Sequence, residues 1–436
     1  MSVQTTTTDI AAPVSQQERI TILDSLRGFA ILGILLMNIP SFGLTGDTFA
    51  MHETGVNYRT WYFINLIPDG TQRALFSMLF GAGILLFVRN VEKRAAGIRT
   101  ADYFFRRQLW LLVFSLVDVF LLLWNGDILL DYSLYGMLLF TFRNLSPKKL
   151  LIAAGVCLLL MLARENRDLY KDKQVITRGE AVAALDTTKV KLIAKQEEEL
   201  GDMTDYKERT SLEKRIKRTE KNIRIISTGT YEEVYENRTE HYIGHMIQYI
   251  FFEAWDVLLF MFLGMAFFKL GILTGQAPIK IYWWMLIIGL GFGSLLSWLY
   301  LQRTVTYQYN NFEYTKHISL EYYQLHRMLR SLGLFAALML LYRSGLFKWL
   351  FELLRPVGQM AFSNYLMQSI LCGLYFNSYG FGMYGKLQRI EIYYVVGVVW
   401  LFQIIFCNTW LRYFRFGPFE WAWRSLTYWK RQPFKK

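Results

Sequence analysis

Charge is scarce in this chain. Of 436 residues, 19% are Asp, Glu, Lys or Arg, while 53% are apolar. Mean hydropathy is +0.21. A soluble enzyme of this size is excluded by so apolar a composition. Cysteine is nearly absent: Cys157, Cys372 and Cys407 all fall inside apolar runs, and none form a C-x-x-C pair. No disulfide framework or zinc site is implied, and the three read as small core hydrophobes. The period-two alternation of an outer-membrane barrel is missing. So are a Walker loop, an H-E-x-x-H helix and a G-x-S-x-G elbow, which leaves no case for ATP-driven transport, metalloprotease or serine-hydrolase chemistry. One G-x-G-x-x-G occurs, at Gly380, Gly382 and Gly385. It lies between two apolar runs rather than after a strand, so it is not a nucleotide fingerprint.

Long apolar runs are what the chain has in abundance. About 20 apolar residues cross a bilayer as a helix, and the first such run opens on Asp24 and Arg27 and ends on Asn38 and Pro40. The fold class is all-α: a polytopic membrane helix bundle of about ten transmembrane helices with a charged helical extracytoplasmic insert. Spans are expected near 21–42, 71–88, 108–124, 127–140, 150–162, 246–268, 282–301, 326–341, 350–376 and 392–414. An interfacial helix precedes the second and is broken at Pro68-Asp69-Gly70. The Gly81 and Gly83 positions allow close helix contact. The expected organisation is a disordered segment at 1–20, spans one to five at 21–163, the insert at 164–241, spans six to ten at 242–415 and a basic, aromatic interfacial segment at 416–436. The insert's apolar positions are sparse (Leu192, Ile193, Leu200, Leu212, Ile216, Ile223), which fits a helical hairpin or coiled segment.

The net charge of +13 sits in short loops between spans, so it is a topology signal and not a nucleic-acid signal. Loops at 89–107, 143–149, 269–281 and 343–355, with the tail, hold most of the short-loop Lys and Arg. The positive-inside rule then places both termini in the cytoplasm and the insert outside. The expected location is the bacterial inner (cytoplasmic) membrane, crossed many times, with the lipid bilayer as first partner. No cleaved signal peptide is expected, because the first span is long and no A-x-A-like site follows it.

Within this topology the polar residues concentrate in the outer half. They are Asn38, Arg73, Asp118, Asp127, Asp131, Glu253, Asp256, His326, Arg330, Asn364 and Gln368. A charge at mid-bilayer costs about 2.5–3.5 kcal/mol on insertion scales, so such groups face the bundle interior or water. Asp127/Asp131, His326/Arg330 and Asn364/Gln368 are i,i+4, and Glu253/Asp256 is i,i+3, so each pair shares a helix face. One polar cavity opening outward is the simplest expectation. Bland readings stand beside it. Asp127 and Arg73 suit helix ends, Asp24 suits a cap, Asn364 and Gln368 suit interhelical bonding, and His52 and His317 suit solvated loops. His326 is the sharpest single candidate, because histidine moves protons near neutral pH.

Five stretches stand out: LDSLRGFAILGILLMNI at 23–39, FSMLFGAGILLF at 76–87, NGDILLDYSLYGMLLF at 125–140, RPVGQMAFSNYLMQSIL at 355–371 and FGPFEWAWRSLTY at 416–428. They resemble the YeiB-like family of bacterial inner-membrane proteins (domain of unknown function 418). The resemblance covers nearly the whole chain apart from 164–241. It implies kinship with membrane acyltransferases that modify glycans, including the lysosomal heparan glucosaminide acetyltransferase. Such enzymes carry an acyl group from a cytoplasmic donor to an acceptor across the membrane. Their first-span pattern resembles Arg27, Gly28 and Asn38 here, and His52 occupies a loop comparable to the one that holds the acetyltransferase histidine. Many YeiB-like sequences carry a histidine in the third span where this chain has Asp118.

Two functions follow as expectations. In an acyltransferase, His326 or His52 is the base and Asp118 and Asp127 orient it. Asn38, Arg73, Glu253, Asp256, Arg330, Asn364 and Gln368 then contact substrate. Arg27, Arg106, Arg107, Lys148 and Lys149 receive the phosphates of an acyl-CoA co-substrate. The acceptor is an envelope glycan, and no bound cofactor or metal is expected. In a proton-coupled secondary transporter, the outer-half carboxylates and His326 form the coupling site. A non-catalytic envelope protein whose insert binds a partner is the third option.

Overall fold

A computed structural model describes residues 20–44, 53–93, 98–185 and 191–436. Helices follow one another in chain order. They are α1 (Thr21–Gly43), α2 (Gly55–Leu66), α3 (Thr71–Glu92), α4 (Ile98–Phe120), α5 (Leu129–Leu139), α6 (Pro147–Ala183), α7 (Ala194–Arg209), α8 (Leu212–Thr228) and α9 (Tyr231–Lys269). Then come α10 (Ile279–Leu286), a π-helical turn (Ile287–Phe292), α11 (Gly293–Thr306), α12 (Asn311–His317), α13 (Tyr323–Ser344), α14 (Lys348–Gln359), α15 (Ala361–Phe376), α16 (Arg389–Tyr413) and α17 (Pro418–Tyr428). The described residues form no strand beyond one isolated bridge, between Phe414 and Lys435.

The boundaries follow from local chemistry. Ser146 accepts from the Lys149 N–H at the start of α6, with Pro147 in the first turn. Thr230 and Glu233 form a reciprocal capping box at α9: the Glu233 N–H donates to the Thr230 hydroxyl at 3.2 Å, and the Thr230 N–H donates to the Glu233 carboxylate at 2.7 Å. In the loop before α16, Gly382 and Gly385 have φ of +61° and +70°. The Gly385 N–H donates to the Gly43 carbonyl at 2.8 Å, tying this loop to the end of α1. The G-x-G-x-x-G glycines therefore shape a turn.

Among the described residues, five helical stretches are long and apolar enough to cross a membrane: Thr21–Gly43, Gly55–Glu92, Ile279–Thr306, Tyr323–Ser344 and Arg389–Tyr413. The second is two helices, α2 and α3, parted by the turn at Pro68-Asp69-Gly70. The other runs expected to span take different forms. The 127–140 run is only 11 residues of α-helix with a short 3₁₀ turn. The 350–376 run divides into α14 and α15 at Met360. The 150–162 and 246–268 runs belong to helices of 37 and 39 residues that continue into the insert. Large apolar residues face outward in helical stripes. Leu109, Val113, Leu116 and Val117 do so on α4, Ile152, Val156 and Leu159 on α6, and Val398, Leu401, Phe402 and Ile405 on α16. Contiguous apolar stripes of this kind belong against lipid chains.

α1 lies at the centre and packs on α3, α14, α15 and α16. Its crossing with α14 is close. A methyl group at Gly358 would overlap the Asp24 carbonyl, and one at Gly28 would overlap the Leu354 carbonyl. Beyond the membrane runs, α7 lies along α6, and Ile176, Tyr206 and Phe312 form a small apolar cluster there. Lys316 pairs with Glu180 at 2.6 Å, fastening α12 to α6.

Candidate functional site

A cavity of about 250 Å³ opens at the end of the bundle that holds the start of α1 and the whole of α17. Three arginines stand at its mouth: Arg27 from α1, Arg107 from α4 and Arg424 from α17. Each is fixed by a neighbour. Arg27 Nη1 donates to Asp24 at 2.9 Å. The Arg107 guanidinium lies 3.8 Å from the Trp423 ring centroid and 4.9 Å from that of Phe87. Arg424 lies 4.7 Å from the Phe416 ring centroid. Arg107 is desolvated and faces the like charges of Arg424 and Arg27. A guanidinium stays charged, so three of them around one opening attract an anion. The walls are apolar, with Phe76, Leu79, Phe80 and Leu111. Gly83 leaves room beside Arg27: a methyl group there would sit 3.4 Å from Arg27 Nη2.

The floor is polar. Tyr132, Gln108 and Tyr365 line it. The Tyr365 hydroxyl donates to Asp127 Oδ1 at 3.1 Å and accepts from the Ile128 N–H at 3.0 Å. Asp127 also accepts from the Ser115 hydroxyl and from the N–H groups of Leu129, at 3.1 Å, and Leu130, at 3.0 Å. It therefore caps the start of α5 and contacts the cavity floor through one tyrosine. Asp118, wholly buried on α4, lies against Asp127 and Ser369.

One side of the cavity is built by α17. Glu420 is buried, and its Oε1 accepts from the N–H groups of Phe362, at 2.8 Å, and Ser363, at 3.0 Å. Its Oε2 accepts from the Ser363 hydroxyl. This carboxylate caps the N-terminus of α15, where the chain breaks at Met360. Burial pushes the Glu420 carboxyl up from its ordinary range, and the donors from Ser363 and Phe362 oppose that. Trp423 Nε1 donates to the Arg107 carbonyl at 2.8 Å, closing α17 onto α4.

The remaining polar residues named in the sequence fall into separate clusters. Arg73 pairs with Asp131 at 3.0 Å and lies 3.9 Å from Asp256, which in turn pairs with Arg327. This alternating chain joins α3, α5, α9 and α13. Arg330 is 0% exposed and donates to the carbonyls of Asn65, Leu66 and Ile67 at 3.1, 2.8 and 3.1 Å. It caps the C-terminus of α2. Asn364 donates to the Val357 carbonyl at 2.9 Å, and Gln368 to the Ile31 carbonyl and to Gln403 Oε1, both at 3.1 Å. These two amides bond α15 to α14, α1 and α16. His326 is 1% exposed and sits among Tyr300, Tyr322 and Tyr323. Asn38 is half-buried near the end of α1. His52 lies outside the described residues, as does the side chain of Glu253.

The structure thus differs from a single polar cavity opening outward. Of the five donor-site residues named from sequence, Arg27 and Arg107 line the cavity. Arg106 stands beside it, pairing with Asp102 at 2.6 Å and lying 4.6 Å from the Trp429 ring. Lys148 and Lys149 open α6, away from the lining. Asp118 and Asp127 come together, whereas His326 stands in another cluster. Arg424, Tyr365, Glu420 and Arg327 were not picked out from the sequence. The FGPFEWAWRSLTY and AFSNYLMQS stretches hold three of them, and the i,i+4 pairing of His326 with Arg330 drew attention past Arg327, one residue away.

Helix content, apolar stripes and buried charge define a polytopic α-helical membrane protein. Residues 267–430 match the family described as "Protein of unknown function (DUF418)". Similarity to curated proteins runs the length of the chain. It is 27% identical to the "Uncharacterized protein YxaH" of Bacillus subtilis (strain 168), over 97% of this chain and 98% of the relative. It is 28% identical to the "Uncharacterized protein YeiB" of Escherichia coli (strain K12), over 94% and 96%. It is 25% identical to the "Uncharacterized 39.9 kDa protein in amylase 3'region" of Bacillus acidopullulyticus, over 97% of each. No solved structure matches. The C-terminal part of the chain thus resembles the DUF418 family, and the whole chain resembles YeiB-like proteins.

Proposed function

We propose that this protein is an inner-membrane acyltransferase that takes an acyl group from a cytoplasmic thioester donor of the acyl-CoA class and passes it to an envelope glycan or another hydroxyl or amine acceptor. The observation that carries the reading is the cavity with Arg27, Arg107 and Arg424 at its mouth and Tyr365, in contact with Asp127, on its floor. Arginine forks suit phosphate, and an apolar passage of about 250 Å³ suits a thioester arm. The mouth is assigned to the cytoplasm with both termini, following the Lys and Arg bias of the loops.

In this reaction the acceptor oxygen or nitrogen attacks the thioester carbonyl. The new C–O or C–N bond forms as the C–S bond breaks. The acceptor proton passes through the Tyr365 hydroxyl to Asp127, and the departing thiolate takes a proton back to leave as the thiol. The Asp118–Asp127 pair takes the place of His326 as base, because Tyr365 links Asp127 to the cavity. In the transporter reading the outer carboxylates must be free to take protons. Asp131 and Asp256 are engaged by Arg73 and Arg327, which speaks against that use.

The test is label transfer in membranes containing the overproduced protein and acetyl-CoA labelled in the acetyl group. Label moving to the envelope glycan or lipid fraction, and falling at least tenfold in Tyr365→Phe, is the expected result. Transfer equal to that of membranes without the protein contradicts the reading.

A further inference from the structure

A second cavity, of about 540 Å³, opens at the same end of the bundle as the arginine mouth, and Ile20 lines both. Leu85, Val88, Arg89 and Glu92 give it one face of α3, spaced i, i+3, i+4 and i+7. The first cavity uses a different face, with Phe80, Gly83 and Phe87. A second wall is the end of α9, with Phe268 and Lys269, and Arg143 joins it from the segment before α6. Among the described residues the wall carries three basic side chains, Arg89, Arg143 and Lys269, and one acidic one, Glu92. Lys269 Nζ donates to the carbonyls of Arg143 and Leu145, both at 2.7 Å, which ties α9 to that segment. An ammonium has three N–H donors, so one is left. Arg143 Nη1 donates to the Phe140 carbonyl at 2.8 Å, and the guanidinium lies 3.9 Å from the Phe140 ring centroid. Its Nε is buried, has no hydrogen bond among the described residues and lies 3.9 Å from Glu92 Oε1. Arg89 is exposed in the last turn of α3.

Basic side chains suit a helix C-terminus on their own account. That role does not explain the open volume that all three line, nor their convergence with an apolar wall of Leu85, Val88 and Phe268. The surroundings set its depth. Gln276 lines the cavity, and the carbonyl of the next residue, Ala277, accepts from Arg343 Nη1 at 2.6 Å, which joins the end of α13 to this turn. Just beyond Arg343, Leu346, Phe347 and Trp349 are exposed beside Lys348. Exposed apolar and aromatic side chains interleaved with lysine mark the level of lipid head groups. Three cations next to an apolar wall at that level match the phosphate and the first chain carbons of a phospholipid. We infer that Arg89, Arg143 and Lys269 bind the phosphate group of an anionic phospholipid, with its chains against Leu85, Val88 and Phe268. A choline head group would bring a positive charge against the same three cations, so zwitterionic lipid is disfavoured. The site needs no thioester donor and is independent of the proposed transfer reaction.

Native mass spectrometry of the full chain in neutral detergent, with added dioctanoylphosphatidylglycerol or dioctanoylphosphatidylcholine, tests this. Glycerol 3-phosphate serves as the soluble phosphate. The expected result is saturable retention of one phosphatidylglycerol, tighter by about tenfold or more than phosphatidylcholine, which is the worth of one charged hydrogen bond. Affinity is expected to fall by a similar factor in Arg89→Ala and further in the Arg89→Ala/Arg143→Ala double variant, and to stay unchanged in Arg107→Ala. Thermal unfolding checks that each variant is folded. Arg89 is exposed, so its single variant keeps the test decisive where the double variant fails to fold. The inference is overturned if phosphatidylcholine is held as tightly as phosphatidylglycerol, if glycerol 3-phosphate displaces the lipid at equal concentration, or if Arg89→Ala keeps full affinity. A loss confined to Arg107→Ala overturns it too, by assigning the lipid to the first cavity.

Discussion

Two neighbouring aspartates illustrate how burial and partnership separate residues of one type. Asp127 accepts four hydrogen bonds and caps α5. Asp118 is wholly buried and lies against the Asp127 charge and Ser369. Asp127→Asn is expected to lower stability by about 1–2 kcal/mol, the worth of a helix cap. Asp118→Asn removes a like-charge contact and is expected to leave stability unchanged or raised. Thermal unfolding in detergent distinguishes the two, and a larger loss for Asp118→Asn contradicts the assignment. Arg330→Gln uncaps three carbonyls of α2 and is expected to cost about 2–4 kcal/mol without changing coenzyme A affinity.

Among the elements, α17 changes most between a reading of sequence and the folded chain. Its alternation of aromatic and basic residues fits a helix lying at a membrane surface, and composition goes no further. In the fold the helix turns Glu420 inward to cap α15, lays Trp423 on Arg107 and brings Arg424 to the cavity mouth. Sequence could not show this, because a cap supplied from 57 residues away leaves no local pattern. Glu420→Gln keeps the shape and loses the charge at a helix N-terminus, with an expected cost of about 1–2 kcal/mol in thermal unfolding. By contrast α1 was legible from the start. It is a long apolar run with a charged opening, and its Asp24–Arg27 pair is local, three residues apart. The break at Pro68-Asp69-Gly70 was legible for the same reason. The division of 350–376 at Met360 was not, since Pro356 lies inside α14 and the break falls four residues later.

For the whole molecule, hydropathy fixed the class and left the arrangement open. It counts apolar residues along the chain, so it found α13 and α16 readily. It cannot report which neighbour a buried charge meets. The polar residues of seven expected spans therefore looked like one shared cavity. Packing instead divides them into an ion-pair chain, a set of interhelical amides, a helix cap and the Asp118–Asp127 pair. The three arginines of the mouth stand 80 or more residues apart in sequence, and only their assembly gathers three guanidinium groups at one opening. Removing residues 417–436 takes away Arg424 and one wall, so coenzyme A binding is expected to be lost while the central helices remain folded by circular dichroism.

The most direct measurement is an equilibrium titration of the purified chain with coenzyme A and acetyl-CoA. Wild type is compared with Arg27→Ala, Arg107→Ala, Arg424→Ala and, as a control off the cavity wall, Lys148→Ala. Each mouth arginine contributes about 1.5–3 kcal/mol as a charged hydrogen-bond donor, which is a loss of roughly tenfold to a hundredfold in affinity. Saturable binding weakened by that factor in the three arginine variants and unchanged in Lys148→Ala is the predicted result. No saturable binding to the wild type at millimolar coenzyme A, or binding indifferent to all three arginines, would contradict the donor cavity.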